Sequence, residues 1–204
     1  MPDSATIDHD PHAEARDHLA RYLAQFPNEQ AGLAALTDQL LNDAGDVFAR
    51  SNMRGHITTS AIVYDPCADA VLMIHHAALD RWLQPGGHHE GAQPLQASAA
   101  REAAEETGVA PLDIWPHGPF RDLPLDIDSH AIPERPAKGE SAHVHHDYIY
   151  LFSADSRTAL RPDAAEVTAA RWVPRAEFAV MPEARFARLA AKIASLRKPT
   201  APSA

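Results

Sequence analysis

The stretch GHHEGAQPLQASAAREAAEETGV, residues 87–109, constrains this chain more than any other. Residues 94–107 read as a helix. Pro94 suits its first position, and Gly108 suits the position just past its end. On that helix Glu102, Glu105 and Glu106 stand at i, i+3 and i+4, so three carboxylates share one face. They repel one another at neutral pH, and Arg101 alone does not neutralise them. Three clustered acids by themselves fit a solvated helix face. They also fit a hard divalent cation, Mg²⁺ or Mn²⁺, which prefers carboxylate oxygen and water. A carboxylate left free of the cation is then available to take a proton from water. The Gly86-Gly87 pair ahead of the helix lets backbone approach a ligand closely, and it favours the cation site.

Around this stretch the chain alternates in character. Residues 12–26 predict a helix with Leu19, Tyr22, Leu23 and Phe26 on one stripe. After Pro27-Asn28, with Asn28 as a candidate cap, Leu33, Leu36 and Leu40 predict a second helix. The expected role of this pair is packing or dimer formation. HITTSAIVYD (56–65) and AVLMIHH (70–76) read as a hairpin of strands. LPLDID hints at another strand inside a Pro- and Asp-rich stretch from Pro111 to Gly139. AHVHHDYIYLF and AARWVP are strands, and a last helix near Pro182 carries Phe186, Leu189 and Ile193 inward. Strands, a helix, more strands and a final helix predict an α/β sandwich on a mixed sheet.

At this level of detail the chain resembles the Nudix hydrolase family. The resemblance rests on Gly87, then Arg101-Glu102-Ala103, Glu105-Glu106 and Gly108-Val109, at the spacing of the Nudix box. WLQPGGH before it and ARWVP before a terminal helix extend the likeness from about His56 to Ala194. The resemblance implies an α/β/α sandwich with a mixed sheet, preceded here by an N-terminal helical extension. It implies domain limits of 55–197; the two periodic helices ahead of it give an extension over 12–50, and the polar or Pro/Ala-rich composition of 1–11 and 198–204 predicts disordered ends. It also implies water attack on a diphosphate linked to another group X. Carried over by position, Glu102 and Glu106 are the main metal ligands, Glu105 a further ligand or proton acceptor, and Arg101 a brace for the loop. Glu140, Asp147 and Glu166 are candidates for an acid recruited from outside the box. The family's loop glutamate is Gln93 here. A glutamine accepts a hydrogen bond from Arg101 but adds no charge, so the expectation is a weakened brace, with Glu90 as a substitute acid.

The second constellation is histidine. The chain has 13, and GESAHVHHDYIY puts His143, His145 and Asp147 on one strand face. With His88 from the box loop they are candidates to bind phosphate as donors or to hold a transition metal; a polar edge-strand face accounts for them as well. Arg135 or Lys138, in the IPERPAKGE loop, is expected to meet phosphate. Asp126, Asp128 and His130 read as a solvated strand face.

Charge and cysteine then exclude classes of function. With 18 Lys+Arg against 28 Asp+Glu the formal net charge is −10, which disfavours a nucleic-acid polymer as partner. A small phosphorylated substrate remains compatible if a cation intervenes. Cys67 is the single cysteine, so neither an internal disulfide nor a cysteine-based zinc site is available. With no apolar signal core or membrane-length run, the expected location is the cytoplasm, without membrane contact. The leading expectation is a metal-dependent phosphoanhydride hydrolase. The alternatives are an isopentenyl-diphosphate isomerase-like enzyme, which needs a cysteine acid/base, and a non-catalytic binding or regulatory module.

Overall fold

In a computed structural model the described residues are 9–110, 112–136 and 139–196. Of the expected disordered ends at 1–11 and 198–204, residues 1–8 and 198–204 lie outside the described residues, as does the expected phosphate contact of Lys138. The first helix, α1 (Pro11–Gln25), starts where a side chain can start it. The Asp10 carboxylate accepts from the backbone N–H groups of His12 and Ala13, and Pro11 occupies the first turn. Asp10 and Pro11 thus belong to the helix rather than to a disordered end. Asn28 sits inside a short 3₁₀ turn, Pro27–Glu29, and does not cap the second helix, α2 (Ala34–Asn42).

The centre is a single mixed sheet. Strand β1 (His56–Asp65) is buried along its whole length, as its run of β-branched and apolar residues demands. It lies parallel to β7 (His143–Ser153), with His56 opposite His145 and Thr58 opposite Asp147. On its other side β1 pairs antiparallel with β2 (Ala70–His76) near the turn, and with the short strand β4 (Gly86–His88) at its beginning. Beyond β2 lie β3 (Arg81–Leu83) and β8 (Val167–Pro174). Beyond β7 lie β5 (Asp113–Ile114) and β6 (Asp126–Ile132). The Pro- and Asp-rich stretch is therefore part of the sheet, and β6 and β7 form a hairpin whose loop is closed by backbone pairing of Arg135 with Glu140.

Alternation along the strands sorts side chains into two cores. Ile57, Ala61, Val63, Tyr148, Tyr150 and Phe152 face α1, α2 and the helix α3 (Leu95–Thr107). Ile62, Tyr64, Ile149 and Leu151 face α4 (Arg175–Phe178) and α5 (Ala184–Ala194). The molecule is an α/β/α sandwich, as the sequence predicts. No helix among the described residues is long and apolar enough to cross a membrane.

The N-terminal helices are part of the first core rather than an appendage. Tyr148 donates its hydroxyl to Ala15 O at 3.0 Å, and His18 Nδ1 lies 2.8 Å from the Tyr150 hydroxyl. The Glu14 carboxylate accepts from Leu95 N at 3.0 Å. A residue of α1 therefore supplies the anion at the N-terminus of α3, where Pro94 has no capping side chain.

Candidate active site

Helix α3 ends at Gly108, whose φ of 71° is the left-handed conformation expected of a C-terminal glycine. Leu95, Ala99 and Ala103 bury one face against the sheet. Glu102, Glu105 and Glu106 extend from the side that looks toward β4. Their surroundings differ sharply. Glu106 is 3 % exposed and accepts a hydrogen bond from Gly86 N at 2.9 Å. Burial pushes its carboxyl up; the Gly86 bond opposes this, the neighbouring Glu102 and Glu166 charges add to it, and the result is about 8. Glu102 is also raised by burial, against the pull of Arg101. Glu105 is exposed and ion-paired with Arg101 at 2.7 Å.

Gly87 explains why the loop must carry a glycine there. A methyl group on its Cα would stand 2.6–2.8 Å from the Glu102 carboxylate. Gly87→Ala is therefore expected to displace Glu102 and lower turnover about tenfold, a ~1.4 kcal/mol effect, while the melting temperature changes little because the group that must move is the end of a flexible side chain. Steady-state kinetics alongside a thermal melt checks this; unchanged turnover would remove Glu102 from the site.

Arg101 does not lean on Gln93. Its guanidinium reaches Glu102 and Glu105, both at 2.7 Å, and donates to His88 O at 3.5 Å. Gln93 is half-buried and donates to Glu90 O at 3.1 Å. The expected Gln93–Arg101 brace is thus replaced by contacts from Arg101 to its own helix and to β4. The reason is geometric: Gln93 lies ahead of the helix start, in a turn of its own.

Of the three outside acids, Glu166 is the one whose charge acts on Glu102 and Glu106. The chain after β7 returns along the end of α3, where Arg161 N donates to Thr107 O at 2.7 Å and Asp163 N to Glu106 O at 3.3 Å. Glu140 lies instead beside the histidines. Asp147 is 3 % exposed and accepts from Thr58, Ser60 and Gln84. Burial raises its carboxyl. It joins β1, β7 and the connection from β3 to β4 from within and is not open to substrate.

The histidines converge, and on the opposite sheet face. His56, Thr58, Ser60, His145 and Asp147 alternate with residues that face α3. His56 Nε2 is 3.1 Å from His88 Nε2, and His143 Nε2 is 3.2 Å from His145 Nε2. Burial keeps His88 at about 4 and His145, with its ring neighbours, at about 2. The four rings, with Arg50, Arg135 and Glu140, bound a cavity of about 50 Å³. Nucleotide-sized pockets run to roughly 300–1,000 Å³, so this one has room for an ion and a few waters. His88, His143, His145 and Arg135 are thus brought together as the sequence suggests, and His56 is the member that sequence reasoning missed. Among the described residues, His56, His143 and His145 are the group of three potential ligands whose donor atoms all lie within 4.8 Å of one another; the box glutamates form no such group. A larger cavity of about 380 Å³, between α1 and the segment after α2, touches none of these residues.

One other expectation changes. Asp126 and Asp128 are not a solvated face: Asp126 is fully buried, and both carboxylates bond Arg188 of α5. Cys67 is exposed just past the Asp65 end of β1, whereas His56 opens the other end. A ten-residue strand at about 3.3 Å per residue separates them by roughly 30 Å.

The described geometry agrees with what the chain is similar to. Residues 54–194 match the NUDIX domain family. Over 98 residues the chain is 34 % identical to the m7GpppN-mRNA hydrolase NUDT17 of Bos taurus, a match covering 45 % of this chain and 31 % of that protein. It therefore spans about a third of that relative's length. Among solved structures, the Nudix hydrolase RenU from M. smegmatis overlays with a TM-score of 0.50 at 20 % identity, covering 72 % of this chain and 91 % of that one. The NUDIX domain of Shewanella oneidensis NrtR, solved with ADP ribose, overlays at 0.44 with 22 % identity, covering 78 % and 96 %. At 20 % identity the likeness to RenU is one of fold.

Proposed function

The chain belongs to the NUDIX family, and on that premise we propose that it hydrolyses the diphosphate linkage of a small nucleoside diphosphate derivative with the help of Mg²⁺ or Mn²⁺. The observation that carries this reading is buried Glu106 with half-buried Glu102, both within the field of Glu166, under a loop whose Gly86 N–H points at Glu106. Half-buried Glu102 shares the Arg101 guanidinium with Glu105, and buried Glu106 accepts from Gly86 N–H, so these carboxylates fit a hard divalent ion in donor type and in charge. The ion would be held by Glu102 and Glu106, with Glu105 or Glu166 completing the set. When bound, it would screen the diphosphate oxygens and acidify the attacking water.

The chain's own groups do the rest. Gly86 N–H fixes the orientation of Glu106. Gly87 leaves room for the Glu102 carboxylate. Arg101 ties α3 to β4 through His88 O, so that the helix and the loop move as one. Glu105 and Glu166, the less buried acids, are the candidates to accept the proton from water. An acidic chain meets an anionic substrate through the cation rather than through bulk charge. The isomerase-like alternative needs a cysteine near the site, and Cys67 lies at the far end of β1. The non-catalytic alternative would draw on the replacement of the family's loop glutamate by Gln93, whose side chain bonds Glu90 O while Glu102, Glu105 and Glu106 are all present.

The test is a panel of nucleoside diphosphate derivatives, dinucleoside polyphosphates, capped dinucleotides and isopentenyl diphosphate, incubated with and without Mg²⁺ or Mn²⁺. Cation-dependent release of a nucleoside monophosphate or phosphate is the expected result. An isomerised product without hydrolysis would overturn it, as would failure to cleave any member of the panel.

A further inference from the structure

We propose that His56, His143 and His145 form a binding site for a divalent transition-metal ion of the Zn²⁺ class, separate from the carboxylate site on α3 and with His88 beside its fourth position. The donor atoms of the three residues lie within 4.8 Å of one another. Two Nε2–Nε2 separations in the cluster, 3.1 Å for His56–His88 and 3.2 Å for His143–His145, are close to the edge of a tetrahedron with metal–nitrogen bonds of about 2.0–2.1 Å, which is roughly 3.3–3.4 Å. Only small ring movements separate the described arrangement from coordination.

Two of the three tautomers are set from outside the cluster. His143 Nδ1 lies 2.7 Å from Ser141 O, and His56 Nδ1 lies 3.4 Å from Asn52 O. A carbonyl oxygen only accepts, so both Nδ1 atoms carry hydrogen and both Nε2 atoms present lone pairs to the centre. This backbone support of the outer nitrogen is the usual way a ligating imidazole is oriented.

The fold holds the rings rigidly. His56 and His145 are opposite each other in the parallel pair β1–β7, His143 is two residues along the same face, and His88 comes from β4 on the other side of β1. Imidazole donors select Zn²⁺, Cu²⁺, Ni²⁺ or Co²⁺ over Mg²⁺, which the carboxylates on α3 would take. The cavity matches an ion in size, and Arg50 and Arg135 on its wall favour an anion or water as an additional ligand over a second cation. A metal here would tie the β6–β7 hairpin to the start of β1. The site rests on the geometry of the histidines and stands whether or not the carboxylates act as proposed.

The test uses the full chain without a polyhistidine tag, stripped with EDTA and titrated with Zn²⁺ and, separately, Co²⁺ in excess Mg²⁺. One Zn²⁺ per chain should bind with a Kd of about 10 μM or tighter, and Co²⁺ should give the strong visible bands of a low-coordinate nitrogen site. His143→Asn and His145→Asn should each weaken Zn²⁺ at least about a hundredfold. Glu106→Gln and the distant His75→Gln should leave it unchanged. Circular dichroism in EDTA establishes that the histidine variants are folded, and the Co²⁺ spectrum of the unaltered chain does not depend on them. Absence of Zn²⁺ binding in this range, or binding that survives His143→Asn but is lost in Glu106→Gln, overturns the proposal.

Discussion

Glu106→Gln should abolish hydrolysis and, at alkaline pH, make the protein more stable. The loss of activity follows from the position of the group. Glu106 is the most buried of the box carboxylates, and its orientation is fixed by Gly86 N–H. A glutamine keeps the shape and the hydrogen bond but removes the charge that would hold the cation. Removing a cation ligand and its share of transition-state charge stabilisation is expected to cost about 10³-fold in kcat, ~4 kcal/mol.

The stability effect has the opposite sign. The Glu106 carboxyl is raised from its ordinary value to about 8. Between about 4.5 and about 8 the folded chain therefore binds a proton that the unfolded chain has released, and stability falls as pH rises through this window. Without a divalent cation, the melting temperature of Glu106→Gln should match the parent near pH 5 and exceed it by roughly 5 °C at pH 8.5. The buried histidines, whose shifts are downward, destabilise both proteins alike on the acid side and cancel in the difference. Adding Mg²⁺ should stabilise the parent and not the variant. A variant that retains full turnover, or melts below the parent at pH 8.5, would refute this account of Glu106.

What could be read from the chain beforehand follows from how local each signal is. The i, i+3, i+4 glutamates, the glycine past the helix end and the β-branched run of β1 lie within single elements, and periodicity is enough to place them. The histidine cluster is different. His143 and His145 declare themselves by alternation, but His56 opens another strand, and only the parallel register of β1 and β7 sets it opposite His145. Its one sequence signal was a polar residue at the start of an apolar strand. Glu166 is 60 residues from Glu106 along the chain, and it is positioned by backbone bonds from Arg161 and Asp163 that leave no mark on composition. Gln93 shows the reverse error. A family position suggested a contact with Arg101, yet the local turn gave its side chain a nearer acceptor in Glu90 O. Asp126 and Asp128 looked solvated because alternating acids on a strand read as a wet face when the arginine that binds both, Arg188, lies far along the chain on α5.

Asp126→Ala should be the most destabilising of these substitutions, and it tests how the N-terminal helices are joined to the rest. Asp126 is fully buried on β6. It accepts from Arg188 at 2.7 Å and Lys192 at 2.6 Å, both on α5, and from the Tyr22 hydroxyl of α1 at 2.8 Å. Lys192 also meets Glu29 at 3.0 Å and lies over the Phe26 ring at 3.9 Å. The carboxylate thus joins both helical layers across the edge of the sheet. Removing one partner of a buried ion pair leaves the other desolvated, at a typical cost of 3–5 kcal/mol. Glu29 still faces Lys192, so the lower end applies, about 3 kcal/mol, or roughly 10 °C in melting temperature. Hydrogen exchange should then show α1 losing protection before the sheet does. Replacing both partners at once, Asp126→Leu with Lys192→Met, should recover most of the loss, because the single-variant penalty comes from the stranded charge rather than from a large net gain of the pair. If Asp126→Ala melts within 2 °C of the parent, or the double variant is worse than the single one, the network does not hold α1 in place and another contact of that helix must do so.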